Sequence, residues 1–151
     1  MARSLKYKRL HAAFMMVWLV CAAPFVYAID GQVAEVLYDG DVVASVHAAD
    51  LEKKYKIVPV PSSGKVQQGV SIELFLSDYS KAQSVVVDDC RGQNVVLFKD
   101  SKAGSGQSFK EYYLVRNKHE DIKLVRAYGA DKKAQGRLKG ICEIDIKSSL
   151  N

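Results

Sequence analysis

Arg91, Arg116 and Arg126 stand near aromatic rings or glycine in the second half of the chain. Arg91 precedes Gly92. Arg116 closes the run Tyr112-Tyr113-Leu114-Val115, with Lys118 two residues on, and Arg126-Ala127-Tyr128 repeats the pairing. A guanidinium offers a rigid fork of donors that matches a carboxylate or phosphate, and an aromatic face offers a flat apolar platform. Together they suit a flat heterocycle with an anionic tail. The candidate ligand-binding set is therefore Arg91, Gly92, Tyr113, Arg116, Arg126 and Tyr128. The competing reading is a set of exposed hairpins with ordinary surface cations.

Other chemistries find little support. His47 and His119 have no third ligand at a useful spacing, and neither HExxH nor CxxC occurs, which argues against a dedicated zinc site. No GxSxG elbow is present. The glycine-rich stretch at 103–106 lacks the Lys-Ser/Thr that completes a phosphate loop. Asp88-Asp89 at a strand end reads as a turn former. No catalytic residue is assigned.

The elements that must position these residues are short. Gln32 to Tyr38 and Val42 to His47 read as strands joined by the tight turn Asp39-Gly40-Asp41. Ala48 to Tyr55 reads as a short helix. The run Ile57 to Pro61 is extended, and its prolines confine it to a sheet edge. In GVSIELFLSDYS, apolar residues at 72, 75, 76 and 79 follow the helical period, and Ser71 can cap the start. Ser84 to Asp88 and Asn94 to Phe98 form a hairpin around Asp89-Cys90-Arg91-Gly92. The flexible composition of 99–108 predicts a loop, either solvated or closing over a site. Tyr112 to Val115, Ile122 to Val125 and Leu138 to Ile146 add three strands, with a polar connection from Gly129 to Gly136. The expected architecture is one compact α+β domain of mostly short mixed or antiparallel strands with a few short helices.

The first 28 residues have a different character. Arg3, Lys6, Lys8 and Arg9 precede an apolar centre, and Val26-Tyr27-Ala28 ends it with small residues at the positions a signal peptidase reads. The apolar stretch is shorter than the ~20 residues that span a bilayer. The segment reads as a secretory signal peptide cleaved near Ala28, so the expected location is periplasmic or secreted, with residues 29–151 as the domain. Of 22 basic residues, four leave with the leader and no acid does, so 18 basic face 17 acidic residues, net +1. The basic character of the whole chain thus belongs to its leader and does not point to nucleic acid. Cys21 leaves as well. Cys90 and Cys142 remain, and in an oxidising compartment two cysteines most simply form a disulfide.

The order of parts carries a resemblance. A segment ending in Asp50-Leu51 leads to an extended strand and then GVSIELFL from Gly69. VVV, a glycine turn, VVL, IKLV and a closing LKGICEIDI follow. Over residues 42–147 this resembles the oxidoreductase molybdopterin-binding domain, the sulfite-oxidase fold. Catalytic members carry a molybdenum-ligating cysteine before the Gly-Val segment, and here no cysteine lies between the leader and Gly69. Gln93 stands where the family has a turn tyrosine. Arg126-Ala127-Tyr128 follows Leu124-Val125 where a proline is usual, and the tryptophan before the closing strand is replaced near Arg137. The resemblance therefore implies the small exported members that bind a pterin without molybdenum and work with a membrane signalling protein. On that reading the ligand is a small anionic heterocycle. A tyrosine would stack on its ring, and Arg91, Arg116 or Arg126 would satisfy its carboxylate or phosphate. Two alternatives stand beside it. One is a divergent molybdopterin-dependent oxidoreductase with a free thiol at Cys90 or Cys142. The other is a pocketless structural or interaction domain.

Overall fold

The computed structural model describes residues 32–102 and 104–149, so the expected leader lies outside the described residues, as does Ala103 of the glycine-rich loop. Ten strands and two short helices follow one another. They are β1 (Val33–Tyr38), β2 (Asp41–His47), α1 (Ala48–Lys54), β3 (Val58–Pro59), β4 (Gln68–Ser71), α2 (Ile72–Phe75), β5 (Ser84–Asp89), β6 (Asn94–Phe98), β7 (Tyr112–Arg116), β8 (Ile122–Arg126), β9 (Gln135–Lys139) and β10 (Ile141–Lys147). Single 3-10 turns at Leu76–Asp78 and Phe109–Glu111 complete the regular structure. The molecule is thus mostly β, a shift of weight from the α+β expectation.

The strands form two five-stranded sheets, in the orders β2-β1-β10-β5-β6 and β3-β4-β7-β8-β9. The first is mixed, because β1 and β10 run parallel with Val36 opposite Ile144. The second is antiparallel throughout. Alternation decides what each strand buries. In the first sheet Ala34, Val36, Val85, Val87, Leu97, Ile144 and Ile146 face inward. In the second, Val70, Leu114, Ile122, Leu124 and Leu138 do, and both sets belong to one core. Val115 and Val125 point the other way and pack with Val60 and Ala127 in a small outer cluster.

The local expectations have visible causes. Asp39 and Gly40 adopt φ of 51° and 93°, the left-handed pair that a tight β1–β2 hairpin needs. Ser71 Oγ accepts from the Leu74 amide at 3.2 Å and starts α2. That helix tightens into the 3-10 turn at Leu76–Asp78, so the predicted helix is shorter and ends one residue before Tyr79. Tyr79 instead stacks on Tyr38, ring centroids 5.8 Å apart.

One prediction is corrected. The run Leu138 to Ile146 is two strands, because Gly140 turns the chain at φ 72° between β9 and β10. The halves join different sheets, and the polar connection before them ends earlier than expected, since β9 begins at Gln135. Cys142, just past the turn, forms the disulfide with Cys90 of the β5–β6 turn, with Cα atoms 5.3 Å apart. The Gln32 side-chain amide lies against both sulfurs.

Candidate functional site

The predicted ligand residues occupy four separate places. Arg116 and Arg126 lie at opposite ends of the β7–β8 ladder, opposite Ile122 and Tyr112 respectively. Four strand steps separate them, roughly 14 Å at the usual rise. Arg91 and Gly92 lie in the β5–β6 turn of the other sheet. That turn is built on Asp89, whose carboxylate accepts from the backbone amides of Arg91 (2.8 Å) and Gln93 (2.9 Å). Tyr113 faces the outer side of the second sheet, packed against the Val60 cluster, and burial pushes its hydroxyl above the ordinary tyrosine range.

Arg126 and Tyr128 do meet, with the guanidinium carbon 4.5 Å from the ring centroid. The guanidinium is already engaged. Its Nη2 donates to Glu111 (3.2 Å) and more weakly to the Gly104 carbonyl (3.4 Å), and the two side chains of the ion pair are only 15% and 12% exposed. The Glu111 carboxylate also accepts from the amides of Gly104 (2.8 Å) and Gly106 (3.2 Å). Tyr112 adds a bond from its hydroxyl to the Gly106 carbonyl (2.7 Å). This clasp ties the 99–108 loop to β7 and β8. Burial raises the Glu111 pKa, but the Gly104 amide, Arg126 and the Gly106 amide outweigh it, and the carboxyl stays below the usual range.

Arg116 is engaged too. It grips Glu120 through Nε and Nη2 at 2.6–2.9 Å and reaches Glu52 of α1 at 3.2 Å. Glu120 lies in a hairpin tip in which Asn117 Oδ1 accepts from the His119 (2.6 Å) and Asp121 (3.2 Å) amides.

Beside this tip lies a groove of about 630 Å³. It is lined by the segment Lys65 to Gln68, by 115–119 at the β7–β8 hairpin, and by Lys123 and Lys139. Three of the lining residues, Val115, Lys123 and Lys139, stand in one cross-strand row on the outer face of the second sheet. Gly69 must lack a side chain, because a Cβ would come 2.6 Å from the Leu114 carbonyl and 2.7 Å from Val115.

Lys123 and Lys139 are therefore direct neighbours of like charge, an arrangement that destabilises a sheet unless something offsets it. Burial lowers the Lys123 pKa, and Lys139 and Lys65 lower it further. Lys118 and His119 are exposed on the tip. The acid in the groove lining, Glu52, is taken by Arg116. Among the described residues none of Lys65, Lys118, Lys123 or Lys139 forms an ion pair. The arrangement can attract and hold an anion.

Sequence reasoning reached Arg116 and Lys118 on this groove but missed Lys65, Lys123 and Lys139. The alternation in Ile122-Lys123-Leu124 does point Lys123 outward, but which strand lies next to it is not written locally. Arg91 is absent from the groove lining, although the Cys90 amide donates to the Gly140 carbonyl, one residue beyond Lys139 (3.1 Å). A smaller cleft of about 210 Å³ is lined by one basic and one acidic residue, Lys99 and Glu73, and has no comparable charge excess. Among the described residues, no group of three or more His, Cys, Asp or Glu side chains is placed to hold a metal ion, and no helix is long and apolar enough to cross a membrane. No protein-family model, curated protein or solved structure matches this chain.

Proposed function

We propose that this protein is an exported, non-enzymatic module that binds an anionic ligand in the groove of Lys65, Lys118, Lys123 and Lys139. The carrying observation is the direct juxtaposition of Lys123 and Lys139 across β8 and β9; among the described residues neither forms an ion pair, and Glu52 of the groove lining pairs with Arg116. A bound anion would relieve the repulsion and recover its cost as affinity. The disulfide suits an oxidising compartment. It also engages both cysteines that could have served as thiolate ligands, which favours a binding module over a divergent oxidoreductase.

The sulfite-oxidase-like fold and the pterin remain proposals that rest on the GVSIELFL segment and the order of parts around it. A carboxylated pterin would place its acid between Lys123 and Lys139, and His119 is the flat ring at the groove. The ligand-bound state would then be read by the membrane signalling partner that the resemblance implies.

Calorimetric titration of the exported protein with inorganic phosphate and with 6-carboxypterin tests the reading. Lys123→Ala and Lys139→Ala should each weaken binding about tenfold or more, the worth of a charge-assisted hydrogen bond. Arg91→Ala, outside the groove, should change it less than about twofold. Binding that is unaltered in both lysine variants would assign the anion elsewhere.

A further inference from the structure

We infer that the groove face is a membrane-docking surface, and that the anions it receives are the phosphates of lipid headgroups. The inference rests on the anion-binding reading above and names its ligand.

The first argument is what stands among the cations. Val66 is 71% exposed, the most exposed large hydrophobic side chain of the described residues. It follows Lys65 in the lining of the groove. An apolar side chain held in water beside lysines is poorly suited to a small hydrophilic anion. It suits a bilayer interface, where lysines meet headgroups and an apolar tip reaches the acyl boundary.

The second is the kind of cation. The arginine of the groove has its fork closed by Glu120 and Glu52, which leaves the lysines to act. Ammonium groups on flexible stems are point charges without fixed geometry. They follow a fluid array of headgroups more readily than they define one rigid ligand.

The third is the charge distribution. Glu35 stands opposite Glu143, and Glu143 opposite Asp88, in a row on the outer face of the first sheet. Lys123 and Lys139 lie on the outer face of the second sheet, across the shared core. The protein without its leader is nearly neutral overall, yet these like charges stand on opposite faces. An anionic surface would turn it with the lysines inward and the carboxylates outward.

The test uses the exported protein, its N-terminus defined by mass, sedimented with vesicles of phosphatidylcholine alone or mixed with phosphatidylglycerol. We expect binding that needs phosphatidylglycerol and is lost at high salt. Lys123→Gln combined with Lys139→Gln should weaken partitioning about twenty-five-fold, roughly fivefold for each lysine. Circular dichroism of the same sample verifies its fold. The chain's single tryptophan, Trp18, lies in the leader, so Val66→Trp adds a lone reporter to the processed protein. Its emission should shift to the blue on vesicles and be quenched by brominated acyl chains. Failure to bind phosphatidylglycerol vesicles, with phosphate still bound in calorimetry, overturns the inference and leaves the anion-binding reading intact. Failure of both overturns both. Vesicle binding that ignores the double lysine change, or leaves the tryptophan emission unmoved, assigns docking to another face and also overturns it.

Discussion

Glu111 shows how one side chain can decide whether an arginine is free to bind. It accepts from Arg126 and from two loop amides in a place where both members of the pair are largely buried. Replacing it by glutamine leaves the guanidinium buried without a counter-charge. Glu111→Gln should lower stability by about 2 kcal/mol in urea unfolding. The pH dependence has a definite sign. Because the folded pKa lies below the unfolded one, the contribution is complete above the unfolded value. It is lost as the pH falls through the folded value. Urea midpoints below about pH 4.5 should therefore fall more steeply for the parent protein than for Glu111→Gln. The aromatic–arginine pairing at Arg126 and Tyr128 was legible in the sequence. Its engagement was not, because Glu111 lies on the neighbouring turn and meets Arg126 only through the β7–β8 register.

At the scale of elements, local signals were read well where they act locally. The Asp39-Gly40 hairpin, the Ser71 cap and the proline-bearing edge strand each depend on a few adjacent residues. Ser71→Ala should cost about 1 kcal/mol, the usual value for a lost N-cap. Gly69→Ala should cost more, about 1–3 kcal/mol, because the added methyl meets a backbone carbonyl that cannot move aside. Guanidinium unfolding of the two variants checks the order, and equal small losses would show that β4 has room to shift. The split of Leu138 to Ile146 was less legible. Gly140 marks a break in the sequence, but only the pairing of β9 with β8 and of β10 with β1 and β5 shows that the chain leaves one sheet for the other there.

For the molecule as a whole, the bond between Cys90 and Cys142 closes a long loop, with a sequence separation of 52. It links the β5–β6 turn to the start of β10, within the sheet that also joins β1 to β10. Reduction should lower unfolding stability by about 4 kcal/mol, chiefly by freeing the unfolded chain. Thermal melts with and without reductant measure this, and an unchanged midpoint would mean that the reduced chain holds the same ends together by packing alone. The two sheets also place like charges on opposite outer faces, Glu35, Glu143 and Asp88 on one and Lys123 and Lys139 on the other, and no composition total conveys that.

The sequence alone determined the alternation that makes strands and the turns and cap that join them, because each depends on residue types close along the chain. Tertiary structure decided which charges became neighbours. Arg116 and Arg126 met glutamates, while Lys123 and Lys139 met each other across two strands with no ion-pair partner among the described residues. Electrostatic energy depends on distance through space, and strand register sets those distances only after the non-local pairing of the sheets is complete.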